Sequence, residues 1–176
     1  MVEFTIKRIG TSPKTTAFKE ADNHIRKEHD MARLLTTIGL LMAMATSAFA
    51  EDATVEMWNK DPEDKSRKMV FSQEIVTIEP GESVTWLATD KGHNVELIDG
   101  PDGYDLPKKS KLSKDVTLTF DKPGVYVYVC TPHASMGMIG IVVVGELTQE
   151  GIDAVKDAKV KGKSKNKFKT LLAELP

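Results

Sequence analysis

Between Thr54 and Gly145 the chain alternates short apolar-rich runs with turn residues, at a spacing too tight for helices. The runs predict strands over 54–59, 69–71, 75–79, 83–89, 94–97, 115–120, 124–129 and 139–145. Alternation is plain in VTIEP and in VTLTF, where every second side chain can enter one core. Breakers separate the runs at Pro80-Gly81, Lys91-Gly92, Gly100-Pro101, Asp102-Gly103 and Pro123-Gly124. Eight short strands so punctuated predict a mostly β fold, a Greek-key sandwich of two sheets. The period changes after Gly145. Thr148 fits a helix N-cap, with Glu150 and Asp153 near the positive end of the dipole. Phe168, Leu171, Leu172 and Leu175 then fall at i, i+3, i+4 and i+7, one apolar stripe of a second helix. Two short C-terminal α-helices over 146–176, packed on a sandwich over 51–145, are the expected architecture. No internal repeat or low-complexity segment interrupts it.

The first fifty residues read differently. Residues 31–50, MARLLTTIGLLMAMATSAFA, combine one positive charge at Arg33, an uncharged apolar run and small residues at Ala48 and Ala50. These are the parts of a secretory signal peptide, with cleavage expected after Ala50. The apolar run is short for a membrane span, and an uncleaved anchor is the alternative. Residues 1–30 are polar and mixed in charge, atypical for a signal n-region, and read as a non-native or untranslated extension ahead of a true start at Met31.

From Glu51 onward the chain carries 17 Lys and Arg against 21 Asp and Glu. This mild acidity argues against nucleic-acid binding and stable membrane association. Seven lysines between Lys156 and Lys169 read as a solvated helix face and linker, with a docking surface as the alternative. Cys130 is the one cysteine, so an exported chain has a thiol and no internal disulfide. Metal ligation would account for it.

The candidate chemistry gathers in CTPHASMGM, residues 130–138, and in the GHN ending at Asn94. Taken singly, Cys130 suits a small buried hydrophobe, His93 a turn residue and Met138 core filler. Taken together, Cys130, His133 and Met138 are donors on one loop, and His93 can arrive from a neighbouring segment. Two imidazoles, a thiolate and a thioether are the ligands of a blue-copper site, trigonal with a long axial sulfur. Zinc could use the same histidines and cysteine but gains little from the thioether. A Cys–His nucleophile, Cys130 with His93 or His133 as base, lacks an orienting Asp or Asn of recognisable signature. The Asn94 backbone N–H can donate to the Cys130 sulfur while its side chain ties the two segments together; a simple turn role is the alternative.

With these residues in hand, the chain resembles the cupredoxins, and within them the pseudoazurins. Its Cys-x-x-His-x-x-x-x-Met spacing is shared by pseudoazurins and plastocyanins. VEMWNK, TDKGHNVE, CTPH followed by MGM, and the C-terminal helices are similar to pseudoazurin across residues 51–176. The resemblance implies a monomeric, periplasmic one-electron copper carrier of denitrifying bacteria, reduced by c-type cytochromes and donating to nitrite reductase. It also implies that the edge of His133 is the electron port, in an apolar patch with Pro132 and Met136, ringed by lysines that include Lys60 and Lys91. Three features depart from the pattern: Ala134 replaces an aromatic, Val129 replaces a frequent Lys, and residues 61–66 form a charged insertion. The rival function is a copper chaperone or storage module that transfers the ion itself, with Met57, Met69, Met136 and Met138 as its support.

Overall fold

A computed structural model describes residues 52–175. The expected signal peptide and the residues before it lie outside the described residues. Eight strands form in the expected order: β1 (Ala53–Lys60), β2 (Lys68–Phe71), β3 (Ile75–Ile78), β4 (Ser83–Leu87), β5 (Glu96–Asp99), β6 (Val116–Thr119), β7 (Gly124–Val129) and β8 (Ile139–Val144). A 3₁₀ turn, Thr131–Met136, joins β7 to β8, and two helices follow, α1 (Gln149–Val155) and α2 (Ser164–Glu174).

The strands make two four-stranded sheets, ordered β2-β1-β4-β6 and β3-β8-β7-β5. The pairs β1–β4 and β3–β8 are parallel and the rest antiparallel, as a sandwich whose chain crosses between sheets requires. The expected two-sheet sandwich with two C-terminal helices is therefore present.

Two cores explain why β7 and β8 read as unbroken apolar runs rather than alternating ones. The inner core, between the sheets, holds Val55, Met57, Phe71, Trp86, Phe120, Tyr126 and Tyr128. The outer core lies between the second sheet and the helices: Val125, Val127, Val129, Ile139, Ile141 and Val143 against Val155, Phe168 and Leu171. Side chains alternate across a strand, so odd positions of β7 face the helices and even ones the sandwich. Cys130, the next even position, falls in the inner core and is fully buried.

Several strand ends differ from expectation, two of them because of bonds to residues distant in sequence. β5 begins at Glu96 rather than Asn94 because the Asn94 side chain bonds Thr131 and the Val95 N–H donates to Ser110 Oγ (2.9 Å). β4 ends at Leu87 because the Ala88 N–H turns to the Asp115 carboxylate at 2.7 Å. The register of β5 on β7 shifts between Leu97 and Asp99, which bends the strand as bulges do. The charged insertion is ordered by its own polar groups. Asp61 accepts from the N–H of Glu63 (2.9 Å) and of Asp64 (3.1 Å), and it pairs with Arg67. Arg67 also reaches Glu74, which pairs with Lys167 of α2. Most of the lysine run is solvent-exposed as expected, with this half-buried lysine the exception.

Helix α1 starts at the expected cap: Thr148 Oγ1 accepts from the Gly151 N–H at 3.1 Å. In α2, Phe168 and Leu171 are buried, while Leu172 and, just past the helix end, Leu175 pack at the edge of the outer core.

Candidate metal centre

Three side chains from two separate segments meet at one end of the sandwich. His93 leaves the β4–β5 connection, Cys130 directly follows β7, and His133 sits in the 3₁₀ turn. Cys130 Sγ lies 3.5 Å from His93 Nδ1 and 3.4 Å from His133 Nδ1, and the two Nδ1 atoms are 3.1 Å apart. His93 and Cys130 are fully buried and His133 is half-buried.

The triangle tests whether an ion fits. Sides of 3.1, 3.4 and 3.5 Å place the equidistant point about 1.9 Å from each donor, close to the roughly 2.0–2.3 Å of metal–imidazole and metal–thiolate bonds. Among the described residues this is the one cluster of three or more His, Cys, Asp or Glu side chains able to hold a metal. Its soft sulfur and two imidazoles fit type 1 copper.

Local structure fixes each donor. The His93 carbonyl accepts from the Ser113 N–H (2.8 Å), and the Gly92 N–H donates to Ser113 Oγ (2.9 Å). His93 Nε2 lies 3.1 Å from Asn59 Oδ1. An amide oxygen only accepts, so Nε2 carries the proton and Nδ1 keeps its lone pair toward the cluster. The Asn59 N–H in turn donates to Asp90 Oδ2 at 2.7 Å. Sequence reasoning missed Asn59, which lies 34 residues from His93. Its only sequence signal is a position beside Lys60 at the end of β1.

Thr131 donates its N–H to Asn94 Oδ1 (2.9 Å), and Asn94 Nδ2 donates to Thr131 Oγ1 (3.0 Å). This two-way brace joins the His93 segment to the start of the ligand loop. Burial pushes the Cys130 thiol up, while the N–H groups of Asn94 and His133, directed at the sulfur, pull it down. Burial likewise pushes the His93 imidazole below the usual histidine range, with the His133 ring adding to that effect and Asp90 opposing it. Burial lowers His133 in the same direction. The neutral, metal-ligating form of both rings is therefore favoured near neutral pH.

Met138 is fully buried in the inner core with Cys130. Its backbone bridges the loop: its carbonyl accepts from the Cys130 N–H (3.1 Å) and its N–H donates to the His133 carbonyl (3.3 Å). Gly137, at φ +106°, makes the left-handed turn that ends the 3₁₀ segment and returns the chain to β8. Pro132 and Met136 are exposed on the same loop, Met136 at 49 %. Lys60 and Lys91 are exposed beside Asn59 and Asp90.

Residues 59–145 match the family of copper binding proteins, plastocyanin/azurin family. The chain is 40 % identical to a pseudoazurin of Paracoccus pantotrophus, covering 81 % of this chain and 96 % of the relative. It is 36 % identical to a pseudoazurin of Methylorubrum extorquens, covering 79 % and 92 %. The crystal structure of native pseudoazurin from Hyphomicrobium denitrificans superposes with a TM-score of 0.64 at 35 % identity, covering 72 % of this chain and 99 % of that one. The buried two-histidine, one-cysteine triangle, the sandwich with its two C-terminal helices, and identity along nearly the whole length of these relatives agree: the chain belongs to the pseudoazurins, non-catalytic type 1 blue copper electron carriers of the cupredoxin fold.

Proposed function

We propose that His93, Cys130, His133 and the Met138 thioether would hold copper, and that electrons pass through the edge of His133. Copper, when bound, supplies the one-electron Cu(I)/Cu(II) chemistry. The protein's residues keep the donors in place through both states. The convergence of Nδ1, Nδ1 and Sγ to within 3.5 Å of one another is the observation that carries this reading. The Asn59 tautomer lock and the Asn94–Thr131 brace support it, because each limits the movement of a donor. His133 is the one donor of the triangle that is not fully buried, and Pro132 and Met136 flank it on an exposed loop. Such an apolar collar suits brief contact with another redox protein.

The carrier works in the periplasm after export and cleavage behind Ala50, as a monomer. A c-type cytochrome reduces it and nitrite reductase oxidises it, with Lys60 and Lys91 steering the acidic face of the partner. The ion-transfer alternative is disfavoured by burial: Met57 is in the core, Met69 is half-buried, and His93 and Cys130 have no exposed surface. Stopped-flow mixing of the reduced protein with a copper nitrite reductase tests the assignment. The expected rate falls with added salt and falls further in Lys60→Ala/Lys91→Ala. A salt-independent rate unaffected by those substitutions would reject lysine steering, and copper loss during redox cycling would favour the ion-transfer alternative.

A further inference from the structure

The C-terminal segment touches the ligand loop itself. Ser164 Oγ donates a hydrogen bond to the carbonyl of Ala134, the residue after His133, and the Lys163 N–H donates to the carbonyl of Ser135 at 2.9 Å. Ser164 is fully buried. Beside it, Gly162 has φ +56°, and a Cβ there would stand 2.4 Å from the Ser135 oxygen and 2.7 Å from its Cα. The connector from α1 to α2 thus runs against the backbone of the loop with no room for a side chain.

Helix chemistry does not account for this arrangement. A serine at a helix start ordinarily accepts a bond from its own helix's free N–H groups. The start of α2 has no side-chain cap, and the Ser164 hydroxyl points away from its helix to the loop. The loop's own bonds are weak at its far end, since Gly137 N–H to Ala134 and Met138 N–H to His133 are both 3.3 Å. The near end is held by the Asn94–Thr131 brace. The far end depends on α2, anchored in turn by Phe168 and Leu171 in the outer core and by Lys167 on Glu74.

We propose that Ser164 and Gly162 are positioning residues for the ligand loop, so that the C-terminal helix fixes His133 and Met138 and keeps their rearrangement small during electron transfer. The inference rests on the copper reading above for its functional half. Its structural half is tested without metal.

The experiment compares the parent with Ser164→Ala, and with Val155→Ala as a control that loosens the same outer core through α1 and leaves the α2 anchor and the loop contact in place. Amide hydrogen exchange at Gly137 and Met138 is measured in the metal-free protein. Electron self-exchange and EPR are measured after loading with copper. Loss of one neutral hydrogen bond should speed exchange at those two amides by about three- to ten-fold. It should also slow self-exchange and alter the EPR parameters, while Val155→Ala leaves the EPR parameters at parent values. Parent-like loop amides in Ser164→Ala would overturn the proposal, and so would faster amides with unchanged EPR and self-exchange. An equal spectral change in Val155→Ala would overturn it too, by reducing the effect to general stability of the outer core. Should Ser164→Ala fail to fold, amide exchange in the metal-free parent decides: Lys163, Gly137 and Met138 opening at one common rate supports the clamp, and Lys163 opening independently of the two loop amides overturns it. A colourless protein with loosened loop amides would reject the copper reading while upholding the clamp.

Discussion

Replacing Asn94 by Ala should weaken both the fold and the metal centre, by an amount the structure allows to be worked out. The substitution removes two well-formed hydrogen bonds, Thr131 N–H to Oδ1 at 2.9 Å and Nδ2 to Thr131 Oγ1 at 3.0 Å, and a longer one to the Ser110 carbonyl at 3.4 Å. Neutral hydrogen bonds contribute about 0.5–1.5 kcal/mol each. Thr131 is exposed, so water can partly satisfy its freed groups, and its hydroxyl keeps a bond to Glu96 Oε2 at 2.7 Å. The long third bond adds little. A loss of about 2 kcal/mol follows, which for a domain of this size lowers Tm by roughly 5–10 °C. The backbone N–H toward the Cys130 sulfur remains, so copper should still bind and the colour should survive. What changes is the slack between the His93 segment and the ligand loop, seen as broadened or shifted EPR hyperfine lines. Thermal unfolding by circular dichroism on the metal-free protein gives the first quantity and EPR the second. A Tm within 1 °C of the parent together with an unchanged EPR spectrum would refute the idea that Asn94 braces the site, since about 2 kcal/mol is too much to go unseen.

Two further substitutions probe different parts of the account. Met138→Leu should keep copper bound and raise the reduction potential, because it removes an axial donor that favours Cu(II); an unchanged potential by cyclic voltammetry would count against axial ligation. Burial, with Tyr104 and Asp121 nearby, pushes Tyr126 up to about 12. Its folded state therefore holds the proton more tightly than the unfolded one, and stability should fall as pH rises from about 10 to about 12, by at most about 1.4 kcal/mol per pH unit from this group. Tyr126→Phe removes that group and should flatten the decline in urea midpoints over this range. An equally steep decline in the variant would assign it to other groups.

Much of the molecule was legible because its signals are local. Strand positions follow from alternation and from breakers such as Pro80-Gly81 and Pro123-Gly124, and the α2 stripe from Phe168 to Leu175 follows from helical spacing. The ligand loop could be read because Cys130, His133 and Met138 lie within nine residues. The unread features depend on distant partners. Asn59 meets His93 across 34 residues, and Ser164 meets Ala134 across 30. Neither residue type, alone in sequence, differs from an ordinary turn or helix-start residue. The displaced start of β5 belongs to the same class, because it follows from Asn94 bonding across 37 residues to Thr131 rather than to its own ladder. The polar positions that hold the site are thus the ones the pattern leaves unexplained, while the apolar frame that carries it is plain.

Copper held by His93, Cys130 and His133 through a cysteine thiolate has a direct spectroscopic signature. The most direct test is the visible and EPR spectrum after addition of one equivalent of Cu(II). The expected result is an intense thiolate-to-copper charge-transfer band, bleached reversibly by a mild reductant and absent in Cys130→Ser. A pale, ordinary Cu(II) spectrum in the parent would contradict it, since Cys130 would then not be a ligand.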